Sequence, residues 1–598
     1  MRGPGTRTIE KAKDVRGTLR RLVNYLKPHT LALAFIAFLV VAQTLLDLLG
    51  PWLMGKAMDD YIESKQMGSF IRIALAMAGA YLGSWLVQVV QTRLMAVIGQ
   101  RVLLVIRREL FEHLQSLSLA FFDRHPHGEL MSRLTNDIDV LNRAISFNVV
   151  QLLSSVLTLG GILAAMFALN WKLALGSLLV FPLMVWVTLA VAKRTRAGFR
   201  QLQGHLGELN SFMEESITGQ RVVQAFGQQG RALAEFDRTN GKVRDVGIRA
   251  QSFAFLVPPM MSVLSNAGVA VVAGLGGWLA VRGLATVGDI VTFITYSRRF
   301  ANPLRHLADV YNSLQSGLAG AERVFQVIDE QPDLQDAPGA QPLQAIVGEV
   351  EFDHVDFGYV PDVPVLKDIT LHAKPGQTIA LVGPTGAGKT TMVNVLSRFY
   401  DLQGGAIRID GQDIRTVTRD SLRRQLGVVL QDAFLFADTV MENIRYGRLG
   451  ATDEEVIAAA KLANADWFIH RLPEGYQTRL SERGSNLSQG QRQLLTIARA
   501  ILADPRILIL DEATSSVDTR TEIQIQQALL KLMEGRTSFV IAHRLSTIRG
   551  ADQLLVIRDG QIIERGTHRE LLAQGGFYHD LYMSQFRGTK LAVEAAAE

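Results

Sequence analysis

The residues from Gly383 to Thr391 form a glycine-rich loop of a kind that binds phosphate groups. The loop follows an apolar stretch, Thr378–Val382, with the pattern of a buried strand. Glycines let backbone N–H groups close around phosphate oxygens at a helix N-terminus, a lysine adds positive charge, and a threonine hydroxyl can bind Mg²⁺. The spacing predicts a nucleotide site. Its expected residues in this loop are Gly383, Pro384, Thr385, Gly386, Ala387, Gly388, Lys389, Thr390 and Thr391.

A second apolar run, Ile507–Leu510, ends in two adjacent carboxylates, Asp511 and Glu512. Successive side chains of a strand point to opposite faces, so the two acids can serve different roles. We expect Asp511 to hold Mg²⁺ through a water molecule, and Glu512 to face the γ-phosphate and polarise the attacking water. With the phosphate loop, this pair predicts an ATPase.

The segment Asn486–Gln493 reads Asn-Leu-Ser-Gln-Gly-Gln-Arg-Gln and resembles the signature motif of ATP-binding cassette (ABC) proteins. The resemblance covers nearly the whole chain and is to the exporter type, in which six long helices precede one cassette. It implies that Tyr359 stacks on adenine, that Gln431 lies at the Mg²⁺ site together with Thr390 and Asp511, and that His543 contacts the γ-phosphate. It further implies that Asp518 belongs to a loop crossing a dimer interface.

The signature resemblance also implies a dimer. Ser488 and the Gly490 backbone would donate to the γ-phosphate held on another subunit's Lys389, so that two cassettes close around two nucleotides. The chain has Gln489 where the usual signature has glycine, and it most resembles the catalytically complete half of heterodimeric multidrug exporters. A heterodimer is favoured, although homodimeric relatives also carry this glutamine. The residues expected to act on the partner's ATP are Leu487, Ser488, Gln489, Gly490 and Gln491.

The composition fits a membrane region joined to a soluble one, since 48% of the 598 residues are hydrophobic and 20% are charged. Stretches of about 20 apolar residues, enough to cross a bilayer, predict six spans. They lie near Leu31–Leu49, Ile71–Val90, Val149–Leu169, Leu173–Val191, Phe253–Val281 and Val287–Pro303. The expected fold class is an all-α six-helix transmembrane domain followed by an α/β nucleotide-binding domain of the phosphate-loop type.

Composition along the chain also predicts the domain boundaries. We expect an N-terminal segment at 1–30, a transmembrane domain with long cytoplasmic extensions at 31–325, a linker at 326–346, a nucleotide-binding domain at 347–585 and a tail at 586–598. Within the first segment, the amphipathic stretch Leu19–Pro28 either lies on the inner membrane surface or is a solvated lead-in to the first span.

Basic residues predict the orientation. Arginines such as Arg107 and Arg108 lie between spans two and three, and Lys193 and Arg200 follow span four, which marks both connections as cytoplasmic. The N-terminus, which lacks the pattern of a secretory signal, and the ATPase domain are then cytoplasmic too, in a multi-pass protein of the cytoplasmic (inner) membrane. This bias also accounts for the net charge of +5, so no nucleic-acid partner is expected.

Two helical tips are expected in these cytoplasmic connections. In the family such tips dock on the cassettes, and the resemblance places them here near Phe122–Gly128 and Met213–Gln220. The chain has no cysteine, which excludes disulfides and thiolate metal sites.

Asp47 and Arg298 are the candidate residues of a substrate cavity. Charges inside spans are costly and therefore tend to face cavities or partners. Asp47 either binds a cationic substrate or pairs with an arginine, or it lies near the outer headgroups, because Gly50 and Pro51 follow it.

The function expected is ATP-driven export of amphipathic small molecules, drugs or lipids, by alternating access. ATP and Mg²⁺ are the expected cofactors, and the expected partners are a second half-transporter, the lipid bilayer and the amphipathic substrate. Two alternatives remain open: an ATP-gated channel or regulator, and a lipid flippase that uses the same ATPase mechanism.

Overall fold

The computed structural model describes residues 13–64, 67–178, 180–360, 362–511, 519–542 and 545–584. These residues form two compact units. The N-terminal unit contains the described residues up to Ser116 and those from Pro126 to Glu330. The C-terminal unit contains Leu117–His125 and the described residues from Gln331 onward.

The N-terminal unit is helical, as the apolar stretches predict. The helices up to residue 330 are α1 Val15–Leu26, α2 Thr30–Ser64, α3 Met67–Ser116, α4 Leu119–Arg124, α5 His127–Ser132, α6 Ile138–Arg143, α7 Val149–Leu169, α8 Trp171–Leu178, α9 Val180–Thr218, α10 Gln220–Ala225, α11 Gln229–Val281 and α12 Val287–Ile328. A 3₁₀ turn, Lys27–His29, precedes α2, and two π-helical turns, Arg133–Asp137 and Ala144–Asn148, flank α6. Of these helices, α4 packs with the C-terminal unit.

Four helical stretches of the described chain are long and apolar enough to cross a membrane. They are Val15–Asp60, Met67–Ser116, His127–Leu169 and Gln229–Val281. The other two predicted spans also fall on helices: the fourth covers α8 and α9, on either side of residue 179, and the sixth is the start of α12, where Asp289, Arg298 and Arg299 lower the mean hydropathy. The predicted fold class is therefore confirmed.

The first and sixth predicted spans are joined along their length. The Asp59 carboxylate accepts hydrogen bonds from the Gly288 N–H and the Thr286 hydroxyl, both at 2.7 Å, and so caps the start of α12. Gly288 is required there, because a Cβ would come within 2.2 Å of the Gly55 carbonyl oxygen. Farther along, the Tyr296 hydroxyl donates to the Leu48 carbonyl at 2.7 Å. These contacts hold α2 and α12 as an antiparallel pair.

Two short connections between helices meet at one end of this unit. The side-chain amide of Asn170, between α7 and α8, donates to the Leu284 carbonyl between α11 and α12 at 2.8 Å. Toward the other end of α12, Arg323 donates two hydrogen bonds to Asp137, at 2.6 and 2.9 Å. The Asp137 side chain is only 6% exposed, so this ion pair fixes the end of α12 to the π-helical turn.

The N-terminal helix α1 is anchored to α12 rather than free. Arg21 forms an ion pair with Asp329 at 2.6 Å, its guanidinium lies 4.3 Å from the Phe325 ring centroid, and Tyr25 stacks on the same ring. The helix is amphipathic, since Leu22 is buried and a stripe of apolar side chains is exposed. That stripe consists of Val15, Leu19 and Val23. Its placement at a membrane surface stays a prediction.

The C-terminal unit is α/β, in agreement with the expected fold class. Its strands are β1 Val350–Phe357, β2 Leu366–Ala373, β3 Thr378–Val382, β4 Gly404–Ile409, β5 Gln412–Asp413, β6 Leu426–Val429, β7 Ile507–Asp511, β8 Thr537–Ile541, β9 Gln553–Arg558 and β10 Gln561–Gly566. Its helices besides α4 are α13 Lys389–Leu396, α14 Arg419–Arg424, α15 Val440–Arg445, α16 Asp453–Leu462, α17 Asp466–Ile469, α18 Gln489–Ala503, α19 Thr519–Met533, α20 Leu545–Gly550 and α21 His568–Gln574.

Two sheets form among the described residues of this unit. One is antiparallel, in the order β2-β1-β4-β5, and the other has the order β10-β9-β3-β8-β7-β6. In the second sheet β9, β3, β8, β7 and β6 are parallel, and only β10 joins in the antiparallel sense. The parallel strands are apolar and buried on both faces, as is usual where helices cover a sheet.

The segment predicted as a linker packs against this unit after residue 330. The buried Arg398 guanidinium donates to the carbonyl oxygens of Ile414 and Val417 at 3.0 Å and lies 3.7 Å from Asp336. Asp336 also pairs with Arg419, and Leu343 is buried in the core. The composition indicates a linker, but the structure ties the segment down through partners distant in sequence.

Candidate nucleotide site and its relatives

The phosphate loop connects β3 to α13, as its sequence context predicts. Gly388 has φ +107°, a conformation that favours glycine, and a Cβ there would lie 2.9 Å from the Leu366 side chain. Because α13 begins at the next residue, the loop ends where free backbone N–H groups point out of a helix. This is a favourable environment for phosphate oxygens.

Lys389 is the charged side chain of the loop. Its ammonium group donates to the carbonyl oxygens of Gly383 and Pro384 at 2.7 and 2.8 Å, and the residue is 7% exposed. Burial lowers the pKa of Lys389, and the neighbouring Asp511 carboxylate opposes this shift. A buried ammonium group beside loop N–H groups suits an anionic ligand.

Several predicted site residues converge at one edge of the parallel sheet. Lys389 follows β3, Asp511 ends β7, and Gln431 lies just beyond the end of β6. Since these strands are parallel, their carboxyl ends lie on the same side. Gln431 and the Thr390 hydroxyl group are on exposed residues. The hydroxyl, amide and carboxylate oxygens of these side chains are hard ligands of the kind that Mg²⁺ prefers, so they fit this ion.

Glu512, Asp518 and His543 lie outside the described residues. Their roles as general base, interface residue and γ-phosphate contact stay predictions. The strands that lead to two of them are described, because β7 ends at Asp511 and β8 at Ile541.

The signature motif forms the start of α18. Ser488 is its N-cap: the hydroxyl oxygen accepts from the Gln491 N–H at 3.2 Å, and the Gln491 side chain accepts from the Ser488 N–H at 2.9 Å. Leu487 and Gly490 are buried, whereas Ser488 is exposed and Gln489 is partly exposed. The cap uses a lone pair of the hydroxyl, so its hydrogen remains available for an anion.

The signature and the phosphate loop lie at different strands. The helix α18 packs beside β6, which β7 and β8 separate from β3, a spacing of roughly 14 Å at about 4.8 Å per strand. Among the described residues, no phosphate-loop residue of the same chain is a hydrogen-bond partner of Ser488. Lys389 and Ser488 thus lie in two separate parts of the same chain.

Tyr359 is a half-exposed aromatic residue two positions after β1. Its hydroxyl donates to Thr391 at 3.3 Å and accepts from the Asn394 side chain at 3.2 Å. Both partners are on α13, the helix that follows the phosphate loop. Tyr359 is therefore fixed beside the phosphate loop with ring surface exposed, as adenine stacking requires.

Replacing Tyr359 by alanine is expected to raise the KM for ATP about fivefold, because a stacked aromatic pair contributes ~1 kcal/mol. Tyr359→Trp is expected to keep near wild-type KM, since it retains a stacking surface. Tyr359→Phe is the matched control, because it removes only the hydroxyl contacts with Thr391 and Asn394. The measurement is the ATP dependence of hydrolysis, and equal damage from the alanine and tryptophan variants contradicts stacking.

The structure also reveals residues that motif analysis missed. Tyr400 contacts the ring of Tyr359, and its hydroxyl donates to Asp123 in α4. The sequence signal was limited to an aromatic pair, Phe399-Tyr400, just after α13.

The predicted first tip, Phe122–Gly128, corresponds to the end of α4 and the start of α5. Phe121 in α4 is 3% exposed, Ala120 packs against the core of the C-terminal unit, and Arg124 pairs with Asp333. The second tip, Met213–Gln220, spans the end of α9 and the start of α10. Ile217 in this tip is 75% exposed, and Phe226, which follows α10, is 74% exposed.

The candidate cavity residues lie on the paired helices. Asp47 accepts a hydrogen bond from the Ser84 hydroxyl at 2.7 Å, and its backbone carbonyl accepts from Arg299 at 2.8 Å. Helix α2 continues through Pro51, so roughly 25 Å of helix separate Asp47 from Ser64. The Gly50-Pro51 pair therefore does not mark the end of the helix. Arg298 is exposed on α12.

Residues 33–304 match the ABC transporter transmembrane region, and residues 366–515 match the ABC transporter family. An uncharacterized ABC transporter ATP-binding protein of Bacillus subtilis, YfiC, is 47% identical over 584 residues, which cover 97% of this chain and 96% of that protein. This chain belongs to the ABC exporters.

Other relatives of this exporter have named cargoes. A fatty acid ABC transporter ATP-binding/permease protein of Mycobacterium bovis is 48% identical, covering 85% of this chain and 80% of that protein. An ATP-dependent lipid A-core flippase of Syntrophus aciditrophicus is 40% identical over 96% of both. A solved bacterial Atm1-family ABC exporter with ATP bound has a TM-score of 0.74 and 32% identity, covering 94% of this chain and 98% of that one.

These matches establish the class of activity. This exporter is a multi-pass membrane protein that binds and hydrolyses ATP to drive export, and it works as one half of a dimer. That outcome confirms the expected ATPase and transport function, and a lipid flippase that uses the same ATPase is compatible with it.

Proposed function

We propose that this exporter binds MgATP between the phosphate loop of one subunit and the signature helix of the other. The observation that carries the proposal is the separation of the two half-sites within one chain: Lys389 is at β3, whereas the exposed N-cap Ser488 is at the β6 side of the sheet. Each half-site offers hydrogen-bond donors: the Lys389 ammonium group in one and the Ser488 hydroxyl group in the other. A second copy of the pair completes both.

Within the site, each side chain has a proposed task. Lys389 exchanges its carbonyl contacts for β- and γ-phosphate oxygens, and Tyr359 stacks on adenine. Thr390, Gln431 and Asp511 would hold Mg²⁺, which when bound neutralises phosphate charge. Glu512 accepts the proton of the attacking water. The remaining proposed contacts are His543 with the γ-phosphate and Asp518 with the subunit interface.

The identity of the second subunit decides between two forms of this dimer. The sequence favours a heterodimer because of the overall resemblance and because of Gln489. The names of the relatives mention no second subunit. We infer that the second tip, with the exposed side chain of Ile217, docks on another subunit in either form. Light scattering and an ATPase assay of the purified chain distinguish the two forms. A dimer of this chain alone that hydrolyses ATP establishes the homodimer, and a chain that is inactive by itself supports the heterodimer.

The cargo that we propose is an amphipathic lipid. Two relatives are named for a fatty acid and for lipid A-core, and Asp47 lies on the long apolar helix α2, which pairs with the helix α12 that carries Arg298. The protein is proposed to lie in the cytoplasmic membrane with its ATPase domain in the cytoplasm, as the arginine-rich connections predict. ATP-dependent flipping of a fluorescent acyl lipid in proteoliposomes tests the cargo, and transport of an amphipathic dye without lipid flipping contradicts it.

Asp47→Asn is expected to reduce transport of cationic substrates several-fold and to leave neutral ones and basal ATPase nearly unchanged. The asparagine oxygen can still accept from Ser84, so the substitution removes charge while keeping the contact. A charge in a low-dielectric cavity discriminates by charge, whereas an interfacial one is screened. Ser84→Ala, which keeps the charge, is the control. Transport assays with cationic and neutral derivatives of the same apolar compound measure the effect. An equal loss of transport for both derivatives indicates a structural role.

A further inference from the structure

Tyr359 belongs to a cluster of three aromatic rings. Its centroid lies 5.1 Å from Tyr400 at an interplanar angle of 90°, and 5.1 Å from Phe357 at 84°. Phe357 and Tyr400 lie 5.7 Å apart. Edge-to-face pairs at about 4.5–7 Å attract each other. Tyr400 is 9% exposed while Tyr359 is 49% exposed, so the buried ring supports the exposed one.

The other end of Tyr400 reaches α4. Its hydroxyl donates a hydrogen bond to the Asp123 carboxylate. Burial raises the pKa of Tyr400, and the Asp123 carboxylate raises it further, so the phenol remains a neutral donor. The neighbouring Arg124 pairs with Asp333. Among the described contacts, Asp333 does not contact any of the three aromatic rings. The helix α4 therefore has one anchor that leads to Tyr359 and one that does not.

We propose that Tyr400 is a positioning residue that couples adenine stacking to α4. Its ring holds Tyr359 in the stacking orientation, and its hydroxyl joins that ring to Asp123. Close-packed side chains transmit small displacements because few voids absorb them. Since α4 is part of the connection between α3 and α7, the base of the nucleotide is linked to a segment that leads along the chain to two predicted spans. The inference rests on the proposed role of Tyr359.

The ring contact is tested by ATP kinetics of the full-length dimeric exporter. Tyr400→Leu is expected to raise the KM for ATP about twofold to fivefold, no more than Tyr359→Ala, because Tyr400 acts through the Tyr359 ring. Tyr400→Phe, which keeps the ring, is expected to leave KM unchanged. In a Tyr359→Ala background, Tyr400→Leu should add little, because the two residues act as one unit. A full additive effect in that background, or unchanged KM in Tyr400→Leu, overturns the proposal.

The hydroxyl contact is tested by the reactivity of α4. The chain has no cysteine, so Leu119→Cys, at a residue 42% exposed, gives a unique thiol for maleimide labelling. ATP is expected to change the labelling rate at least threefold, and Tyr400→Phe or Asp123→Asn should abolish that change while KM stays normal. Asp333→Asn, which weakens the other anchor, should retain it. A normal ATP response in Tyr400→Phe, or equal loss in Asp333→Asn, overturns the link.

These results separate the inference from the proposed function. If Tyr359→Ala leaves the KM for ATP unchanged, adenine stacking itself is wrong and the inference falls with it. If Tyr359→Ala raises KM while Tyr400→Leu does not, the stacking role stands and only the role of Tyr400 is overturned.

Discussion

Replacing Glu512 by glutamine is expected to leave ATP binding intact and to lower hydrolysis by roughly 10² to 10⁴. Glutamine keeps the shape and hydrogen-bonding capacity of the side chain but removes the negative charge that polarises the attacking water. Nucleotide should then accumulate between closed cassettes. Single-turnover hydrolysis and equilibrium ATP binding, measured on the same preparation, separate the chemical step from binding.

The extent of the loss depends on the composition of the dimer. In a heterodimer whose partner lacks its own glutamate, Glu512→Gln should remove nearly all turnover. In a homodimer both ATP sites carry the substitution. Dimers mixed from mutant and wild-type chains therefore show whether one active site is enough for turnover. Glu512→Asp is the matched control, since it keeps the negative charge but moves the carboxylate away from the attacking water by shortening the side chain. Near wild-type hydrolysis by Glu512→Gln would remove the general-base assignment.

Replacing Lys389 by alanine is expected to abolish tight ATP binding at this subunit's site. The loop then loses its only formal positive side-chain charge. The neighbouring Asp511 carboxylate remains, and without the lysine its negative charge repels the phosphates. Lys389→Arg is the control: it keeps the charge but changes the geometry of its donors, so partial binding is expected.

Equilibrium binding of a fluorescent ATP analogue measures the effect of the Lys389 substitutions. Unimpaired affinity in Lys389→Ala contradicts the assigned role. Thermal unfolding without nucleotide distinguishes a folding defect from a binding defect, because the Lys389 hydrogen bonds to Gly383 and Pro384 also support the loop. A stable variant that fails to bind ATP supports the account.

The nucleotide half-sites could be predicted because their signals are local. Gly383–Thr391 follows one strand, Asp511 ends another, and Ser488 begins a helix, so each is defined by a few adjacent residues. The parallel order of the strands then brings their ends to one edge. Such local patterns predict which groups exist and on which side of a sheet they lie.

Other features depended on contacts between distant residues. Tyr400 and Asp123 are separated by 277 positions, and the Asp137–Arg323 pair by 186, so neither pair leaves a periodic signal in the chain. The anchoring of the predicted linker through Arg398 is of the same kind. The pairing of α2 with α12 likewise depends on Asp59 and Gly288, which composition cannot connect.

Crosslinking tests the shared ATP site most directly, because the native chain has no cysteine. Thr385→Cys places a thiol in the phosphate loop and Gln489→Cys places one in the signature, in a Glu512→Gln background that holds ATP. A short bismaleimide is then added to the dimer with and without MgATP, and the products are resolved by mass. If a second gene product copurifies, the signature thiol is placed in that subunit.

We expect an ATP-dependent product of dimer mass, including from a mixture of chains that each carry one of the two cysteines. Chains with either cysteine alone should give little of it. A product of monomer mass only, with both thiols joined inside one chain, or a yield of dimer that does not respond to MgATP, would contradict an ATP site shared between subunits.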